Sequence, residues 1–344
     1  MTANLVDRIT NLVQLGKALR TDEQFQEVCD KAHINNPFFT KEFVQHAVDS
    51  ICSEMLDETK LRAFVNAYPA LSASGSKKRA GIIMAGNIPL VGFHDFLCVY
   101  LTGFDVHIKL SSKDDKLFPA LLKVLAKIDT SVNEQVKLVE RLEKFDAVIA
   151  TGSNNSNRYF EYYFRNHPKI LRNNRSSAAI LSGNESEEEL NNLADDIFLY
   201  FGLGCRSVSK LFVPKGYDIT QLFPHFSKYD WFHSHSKYMN NYDYYRSILL
   251  LNGTPHLADE KLMIEENEKI VSPISVIYFE QYEDAASLKK RLAEIDSQLQ
   301  CVAANEITAQ SFGITDFIPF GKTQQPTLND YADGVDTVAF LLNL

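Results

Sequence analysis

The chain has 344 residues, of which 45% are hydrophobic and 23% are charged, and its formal net charge at pH 7 is −9. This composition predicts a soluble globular protein that is long enough for two domains. The acidic balance argues against a nucleic-acid binder, and no segment approaches the roughly 18 apolar residues of a membrane span or has the pattern of a signal peptide, so we expect a cytoplasmic protein without membrane insertion.

The first seventy residues are predicted to be helical. Apolar side chains recur at helical spacing from Leu5 to Val13 and again from Phe43 to Ile51. An exposed loop of small and charged residues, Ser72–Arg79, follows them.

From Ala80 onward, short apolar runs alternate with helical patterns. The predicted strands are Ala80–Ala85, Val106–Leu110, Ala147–Ala150, Ser177–Leu181 and Ser209–Pro214. The predicted helices are Pro89–Leu101 (ended by Gly103), Leu117–Ile128, one that contains Val136–Leu142, Arg158–Arg165 and Glu185–Phe201. This alternation predicts an α/β fold with a doubly wound parallel sheet, which binds ligands in the loops beyond the carboxyl ends of its strands.

Several polar residues fall in those loops. Asn87 follows the first predicted strand, where its amide could donate to an oxyanion or simply cap the turn. Lys109, Ser111 and Ser112 follow the second strand, and Thr151–Ser153 follow the third. A lysine beside hydroxyls can hold ribose or phosphate, although a solvated strand end has the same composition. The G-x-G-x-x-G motif of common dinucleotide folds is absent from the sequence.

The five cysteines are scattered and form no metal-binding or C-x-x-C pattern. Cys29, Cys52 and Cys98 lie on apolar helical faces and are predicted to be core residues. Cys205 follows a Gly-x-Gly break and precedes Arg206, a setting in which a thiolate can act as a nucleophile. On this pattern alone, a small buried residue remains an equal alternative.

The segment Trp231–Tyr245 is rich in His, Asn and Tyr. No further metal ligand stands at a supporting distance from His233 and His235, so we predict no metal site. The lining of an acyl or CoA pocket and an exposed polar loop both fit this composition.

Taken together, the motifs resemble the aldehyde dehydrogenase superfamily and, more closely, its acyl-CoA reductase branch, which includes the LuxC-type fatty-acid reductases. Gly86–Leu90 looks like the superfamily's P-W-N-F-P-L turn, and Ile108–Ser112 looks like its V-K-P-S-E segment. Ala150–Ser153 is similar to F-T-G-S, and Gly202–Cys205 is similar to the nucleophile motif G-Q-x-C. The four segments occur in the superfamily's order, and weaker likenesses continue to the C-terminus.

The resemblance implies an aldehyde dehydrogenase-like fold with a doubly wound cofactor domain and a second α/β catalytic domain. We expect a helical N-terminus and cofactor domain in residues 1–203, a catalytic domain in residues 204–315 and a C-terminal segment, 316–344. The apolar end of this segment, Thr337–Leu344, is expected to be either an oligomerisation strand or part of the core. The resemblance also implies Cys205 as the nucleophile and Asn87 as the oxyanion donor. The implied cofactor-binding residues are Lys109, Ser111, Ser112, Thr151, Gly152 and Ser153. The expected partners are acyl-CoA as substrate, further copies of the chain in a homo-oligomer, and an acyl-activating enzyme.

Three departures from the superfamily refine this expectation. Leu171 stands where E-L-G-G-K has the glutamate that activates water, which favours acyl-CoA reduction over aldehyde oxidation. Ser112 replaces the ribose-binding glutamate, so NADPH is expected, with NADH as the alternative. Lys269 replaces a glutamate that touches the nicotinamide ribose in many relatives. The expected function is reduction of a fatty acyl-CoA to an aldehyde through an acyl-cysteine. An acid-producing aldehyde dehydrogenase and a non-catalytic acyl- or CoA-binding protein remain as alternatives.

Overall fold

The computed structural model describes residues 4–73, 78–152 and 154–344. The chain divides into two compact units. The first consists of Met1–Asn174 together with Gln325–Leu344, and the second consists of Arg175–Gln324. Among the described residues, no helix is both long and apolar enough to cross a lipid bilayer.

The elements alternate along most of the chain. The α-helices are α1 Leu5–Leu19, α2 Glu23–Asn35, α3 Lys41–Ser50, α4 Glu58–Asn66, α5 Phe93–Thr102, α6 Leu117–Ile128, α7 Val132–Gln135, α8 Asn154–Tyr163, α9 Glu187–Phe198, α10 Ser236–Leu251, α11 Ala285–Ile295, α12 Glu306–Ser311 and α13 Thr337–Leu342. The strands are β1 Arg79–Ile83, β2 Asp105–Lys109, β3 Val136–Leu138, β4 Ala147–Thr151, β5 Lys169–Arg172, β6 Ser176–Ile180, β7 Val208–Pro214, β8 Leu257–Ala258, β9 Met263–Glu266, β10 Val276–Tyr282 and β11 Leu299–Ala303.

The first unit contains a parallel five-stranded sheet in the order β3-β2-β1-β4-β5. Its inner strands are apolar because a parallel sheet is covered on both faces, and Ala147, Val148, Ile149 and Ala150 of β4 are all fully buried. The predicted N-terminal helices are confirmed, and their apolar stripes belong to the same core as this sheet. The predicted parallel α/β sheet is therefore confirmed for this unit.

The second unit has its own six-stranded sheet in the order β11-β6-β7-β10-β9-β8. All neighbouring strands are parallel except the short edge strand β8, which runs antiparallel to β9. The central strand β7 is buried from Val208 to Val213. The segment that contains Cys205 leads directly into this central strand.

Three predicted elements need correction. The helix expected from Pro89 begins only at Phe93, because Leu90 adopts a left-handed backbone conformation with φ 56° and Gly86–Gly92 forms turns instead. The helix expected to contain Val136–Leu142 is wrong, since Val136–Leu138 is an edge strand paired with β2. The helix expected over Glu185–Phe201 ends at Phe198.

The domain boundaries also differ from those expected. The division falls after Asn174 rather than after residue 203, because β6 pairs with both β7 and β11 and so joins the sheet that follows Cys205. The C-terminal segment 316–344 is itself divided after Gln324, and the strand expected at its end is the helix α13. Val338 and Leu341 of α13 are buried in the core of the first unit.

A buried ion pair attaches the C-terminal residues to the first unit. The Arg172 guanidinium at the end of β5 donates to the Asp95 carboxylate of α5 at 2.8 Å and to the Thr337 hydroxyl of α13 at 2.8 Å. Arg172 is 3% exposed and Asp95 is 8% exposed. Because the guanidinium is removed from water, its charge depends on these partners.

We predict that Asp95→Ala lowers the free energy of unfolding by about 3 kcal/mol, since the variant leaves Arg172 buried without its counter-charge. Lys215→Ala is the matched control, because Lys215 and Glu283 form an ion pair in which both side chains are 67% exposed. This variant should lose less than about 1 kcal/mol in urea unfolding. Equal losses in the two variants would contradict a structural role for the buried pair.

Candidate active site

The turn that precedes Cys205 has an unusual backbone. After α9 ends, Tyr200, Phe201 and Gly202 adopt left-handed conformations with φ values of 55°, 56° and 70°. Glycine adopts this conformation readily, but each of the two aromatic residues costs about 1–2 kcal/mol in it. Tyr200 and Phe201 are nevertheless buried, at 5% and 2% exposure, so side-chain packing must hold the turn.

That packing comes from aromatic residues of the second unit. The Phe201 ring lies 4.5 Å from Phe232, 4.4 Å from His235 and 5.5 Å from Tyr238, measured between ring centroids. These rings belong to the segment Trp231–Tyr245, whose composition fits either an exposed polar loop or the lining of a pocket. The structure shows short 3-10 turns and α10 there, with Phe232, His235 and Tyr238 packed against Phe201.

Hydrogen bonds fix the segment from Gly204 to Ser207. The Ser207 hydroxyl accepts the Gly204 N–H at 3.2 Å, and the Ser207 N–H donates to the Gly204 carbonyl at 3.0 Å. From the neighbouring strand β6, the Ser177 hydroxyl donates to the Cys205 carbonyl at 3.1 Å. Cys205 is half-buried, whereas Cys29, Cys52 and Cys98 are buried. Burial raises the pKa of Cys29 to about 12, that of Cys52 to about 11, and that of Cys98 well above its usual range. The prediction that these three thiols are core residues is confirmed.

A second segment, Gly321–Gln324, supports the same turn. The Asp196 carboxylate of α9 accepts the N–H groups of Gly321 at 2.7 Å and Thr323 at 3.0 Å. Arg206 Nε then donates to the Thr323 carbonyl at 2.6 Å. Burial raises the pKa of Asp196 to about 6 despite these hydrogen bonds. Asp196 and Ser177 were not predicted as site residues, because their contacts join positions that are far apart in the sequence.

In the first unit, the structure brings the predicted cofactor residues to one edge of the sheet. Ile83 at the end of β1 pairs with Lys109 on one side and with Ala150 on the other. The residues that follow these three strands therefore leave the sheet at the same edge. They are Asn87 after β1, Ser111 and Ser112 after β2, and Thr151 and Gly152 at the end of β4. Ser153 lies outside the described residues.

Asp114 ties two of these loops together. Its carboxylate Oδ2 accepts the Leu90 N–H at 2.9 Å, and its own N–H donates to the Ser111 carbonyl at 3.1 Å. A Cβ atom at Gly86 would lie 2.9 Å from the Asp114 nitrogen and 2.9 Å from the Ser111 Oγ, so only glycine allows this approach. The Asn87 turn and the Ser111 loop are therefore held as one piece.

The sheet edge suits an anionic dinucleotide. The ammonium groups of Lys109 and Lys113 are exposed, and no carboxylate among residues 4–73, 78–152 and 154–344 lies within ion-pair distance of either. A Cβ atom at Gly152 would meet Phe160 and Ser156 of α8 at 2.8 Å, so the loop passes close to this helix. Free cations beside hydroxyls, at the carboxyl ends of parallel strands, form a setting that binds phosphate and ribose groups.

Two further positions were expected from the resemblance to depart from the superfamily. Leu171, expected in place of the glutamate base, lies in β5 and is half-buried. Lys269 is exposed before the buried Ile270, whose carbonyl accepts from Ser209 at 2.7 Å. Within the described part of the chain, no group of three or more His, Cys, Asp or Glu residues is arranged to hold a metal ion.

Comparison with protein families places these observations in context. The family model for acyl-CoA reductase (LuxC) matches residues 17–222, which is more than half of the chain and includes Asn87, Lys109, Thr151 and Cys205. A search among curated proteins found no significant match.

Solved structures with a similar fold include aldehyde dehydrogenases. Aldehyde dehydrogenase 21 from Physcomitrella patens, in complex with succinate, is 12% identical with a TM-score of 0.69, covering 100% of this chain and 85% of that one. The Mycobacterium tuberculosis aldehyde dehydrogenase complexed with NAD+ is 12% identical with a TM-score of 0.65, covering 90% and 76% of the two chains. Betaine aldehyde dehydrogenase from Staphylococcus aureus, in complex with NAD+, is 10% identical with a TM-score of 0.66, covering 90% and 73%. The predicted aldehyde dehydrogenase-like fold is thereby confirmed.

We predict that Asp114→Asn removes a pH dependence from stability. Burial raises the pKa of Asp114 from its ordinary 3.8 to about 6. Between these values the unfolded chain loses a proton that the folded chain keeps, so the wild type loses stability as the pH rises from about 4 to about 6. An asparagine oxygen still accepts the Leu90 N–H but carries no charge. Urea unfolding should show the variant gaining up to about 3 kcal/mol over the wild type between pH 4 and pH 7.

The exposed neighbour Asp115 provides the control for this experiment. Asp115→Asn should follow the wild-type stability across the same pH range. If Asp114→Asn also runs parallel to the wild type, the carboxylate of Asp114 does not ionise at an unusual pH in the folded chain.

Proposed function

Because the chain belongs to the acyl-CoA reductase (LuxC) family, and is therefore an oxidoreductase with a nicotinamide cofactor, we propose that it reduces a fatty acyl-CoA to an aldehyde through an acyl group carried on Cys205. The observation that carries this proposal is the setting of Cys205. Its thiol is half-buried at a turn whose backbone is fixed by Ser177, Ser207 and the segment Gly321–Gln324. A nucleophile must be held in one orientation, and it must also be accessible to its substrate.

The proposed first step is transfer of the acyl group to the protein. The Cys205 thiolate attacks the thioester carbonyl, a new carbon–sulfur bond forms, and CoA leaves as its thiolate. The side-chain amide of Asn87 and the N–H of Cys205 donate to the oxyanion of the tetrahedral intermediate, as the resemblance of both motifs implies. One oxyanion donor of this kind contributes ~3–4 kcal/mol to the transition state.

NADPH, when bound, supplies the hydride that reduces the acyl group to the level of an aldehyde. The residues proposed to hold it are Lys109 at the end of β2 with Ser111 and Ser112 after it, and Thr151 at the end of β4 with Gly152 and Ser153 next in the sequence. Collapse of the reduced adduct then breaks the bond to the Cys205 sulfur, which returns as a thiolate when the aldehyde leaves.

The absence of a carboxylate at Leu171 favours this direction over aldehyde oxidation. An aldehyde dehydrogenase that releases acid needs a base that delivers water to the acyl-cysteine. A leucine side chain has no acceptor for a proton, so the thioester survives until it is reduced. We therefore propose that water competes poorly with hydride in this protein.

We predict that Cys205→Ala abolishes the acyl-enzyme. After mixing with decanoyl-CoA in the absence of NADPH, intact-mass spectrometry should show one decanoyl adduct on the wild type and none on the variant. Cys52→Ala, which removes a buried thiol far from Cys205 in the sequence, should still form the adduct. Binding of NADPH to the Cys205 variant, measured by fluorescence, should remain within about twofold of the wild type.

Three outcomes would contradict this assignment or favour an alternative. An adduct that persists in Cys205→Ala would place the acyl group on another residue. With decanal, NADP+ and CoA, the reverse reaction should yield decanoyl-CoA, and release of free decanoic acid would indicate an aldehyde dehydrogenase instead. A wild type that binds decanoyl-CoA but neither forms an adduct nor oxidises NADPH would indicate a non-catalytic acyl-CoA-binding protein.

The cofactor preference is tested at Ser112. Ser112 stands between Lys109 and Lys113 in the sequence, and all three are exposed. A serine there adds no negative charge to repel a 2′-phosphate, which the two lysines can attract. We predict that Ser112→Glu raises the KM for NADPH at least about tenfold through charge repulsion and changes the KM for NADH much less. Steady-state kinetics with both nucleotides measures this shift. Equal changes for the two nucleotides would contradict a role of Ser112 in phosphate recognition.

A further inference from the structure

The Ser177 hydroxyl touches two cysteines at once. It lies 3.1 Å from the Cys205 carbonyl oxygen and 3.0 Å from the Cys301 sulfur. Ser177 is fully buried at 0% exposure, so water does not replace either contact. A serine thus connects the backbone of the proposed nucleophile to a second thiol on another strand.

The sheet register explains how the second thiol reaches this serine. β6 lies between β11 and β7, and Ser177 pairs with Val208, three residues after Cys205. On the other side, Leu299 pairs with Ser176 and Val302 pairs with Ala178. Two residues of β11, Gln300 and Cys301, therefore stand opposite the single residue Ser177. This two-to-one pairing is a β-bulge. An extra residue in a strand redirects a side chain, and here it brings the Cys301 sulfur to the hydroxyl.

The number of available protons decides which group donates in each of these two hydrogen bonds. A carbonyl oxygen only accepts hydrogen bonds, so the single Ser177 proton is donated to the Cys205 carbonyl. The Ser177 oxygen then accepts the remaining contact, and the thiol proton of Cys301 is donated to it. The order of donation is Cys301 to Ser177 to Cys205. If the Cys301 sulfur lost its proton, it would become an acceptor and compete with Cys205 for the one proton of Ser177.

We propose that Ser177 is a positioning residue for Cys205 and that the Cys301 thiol orients its hydroxyl. The inference rests on the proposed function, in which Cys205 accepts the acyl group. By holding the carbonyl, Ser177 fixes the peptide plane between Cys205 and Arg206 and thus the direction in which the Cys205 side chain leaves the backbone. Neither Ser177 nor Cys301 needs to touch the substrate for this role.

The test compares four variants by two measurements. Ser177→Ala removes the relay, Cys301→Ala removes the thiol donor, and Cys301→Ser keeps a donor of similar size. Ser311→Ala is the control, because the Ser311 hydroxyl also donates to a backbone carbonyl of the second unit, that of Thr308 at 2.9 Å, and Ser311 lies on α12 rather than on β6. Rapid-quench mass spectrometry gives the rate of decanoyl transfer to Cys205. Hydrogen exchange gives the protection of the peptide that spans residues 203–208.

We expect Ser177→Ala to slow acyl transfer about tenfold at saturating decanoyl-CoA, with the half-saturating concentration unchanged within about twofold, because the loss is in orientation and not in binding. Cys301→Ala should slow transfer about threefold, and Cys301→Ser should recover most of that loss. Exchange in residues 203–208 should accelerate in Ser177→Ala and Cys301→Ala. In Ser311→Ala, both readouts should stay near the wild type.

Acyl transfer at the wild-type rate in Ser177→Ala would overturn the inference, and so would equal losses in the two Cys301 variants. The two readouts separate this inference from the proposed function. If the wild type itself forms no acyl adduct, the proposed function fails. The anchoring of the turn by Ser177 is then supported if exchange accelerates in Ser177→Ala alone among the two serine variants, and is overturned if it does not.

Discussion

Burial of the Phe201 ring is the interaction on which the Cys205 turn depends. Two consecutive aromatic residues, Tyr200 and Phe201, hold a left-handed backbone that costs about 1–2 kcal/mol at each position. Burying one large aromatic side chain stabilises the fold by roughly 1.5–3 kcal/mol. Tyr200 and Phe201 are both buried, so the pair contributes roughly 3–6 kcal/mol against a total strain of about 2–4 kcal/mol. The packing therefore outweighs the local strain. Strained backbone of this kind persists only where surrounding structure enforces it, and it recurs at functional sites.

The candidate site residues of the two units lie at opposite ends of their strands. In the first unit, Asn87, Lys109 and Thr151 come at or after the carboxyl ends of adjacent parallel strands, the usual ligand-binding edge of such a sheet. In the second unit, Cys205 comes before its strand, β7, and is held by side chains from β6 and by the segment Gly321–Gln324. The first arrangement suits reversible binding of a dinucleotide, and the second suits a nucleophile that must not move.

The periodicity of apolar residues predicts an element correctly where interactions within that element decide its structure. The helix Leu117–Ile128 was predicted to the residue, because its apolar stripe has the helical period and faces one core. Val136–Leu138 was mistaken for helix, since a short apolar run fits either period and only pairing with β2 decides between them. The hydrogen bond from Ser177 to the Cys205 carbonyl could not be predicted from the sequence either, because it depends on the pairing register of β6 with β7. The motifs name candidate residues, whereas the strand register sets the geometry around Cys205.

Two buried carboxylates hold segments of the candidate site at a cost in folding free energy. Asp114 holds the Asn87 turn and Asp196 holds the segment Gly321–Gln324, each by accepting backbone N–H groups. Charged acceptors form stronger hydrogen bonds than neutral ones, which alone would lower both pKa values. The pKa of each is instead raised to about 6, so the loss of hydration exceeds the gain from those bonds. At neutral pH the chain thus keeps two ionised groups in places that disfavour charge. Selection for stability alone would replace them, and their presence beside both candidate catalytic segments fits a protein that gives up folding free energy to fix its reactive groups.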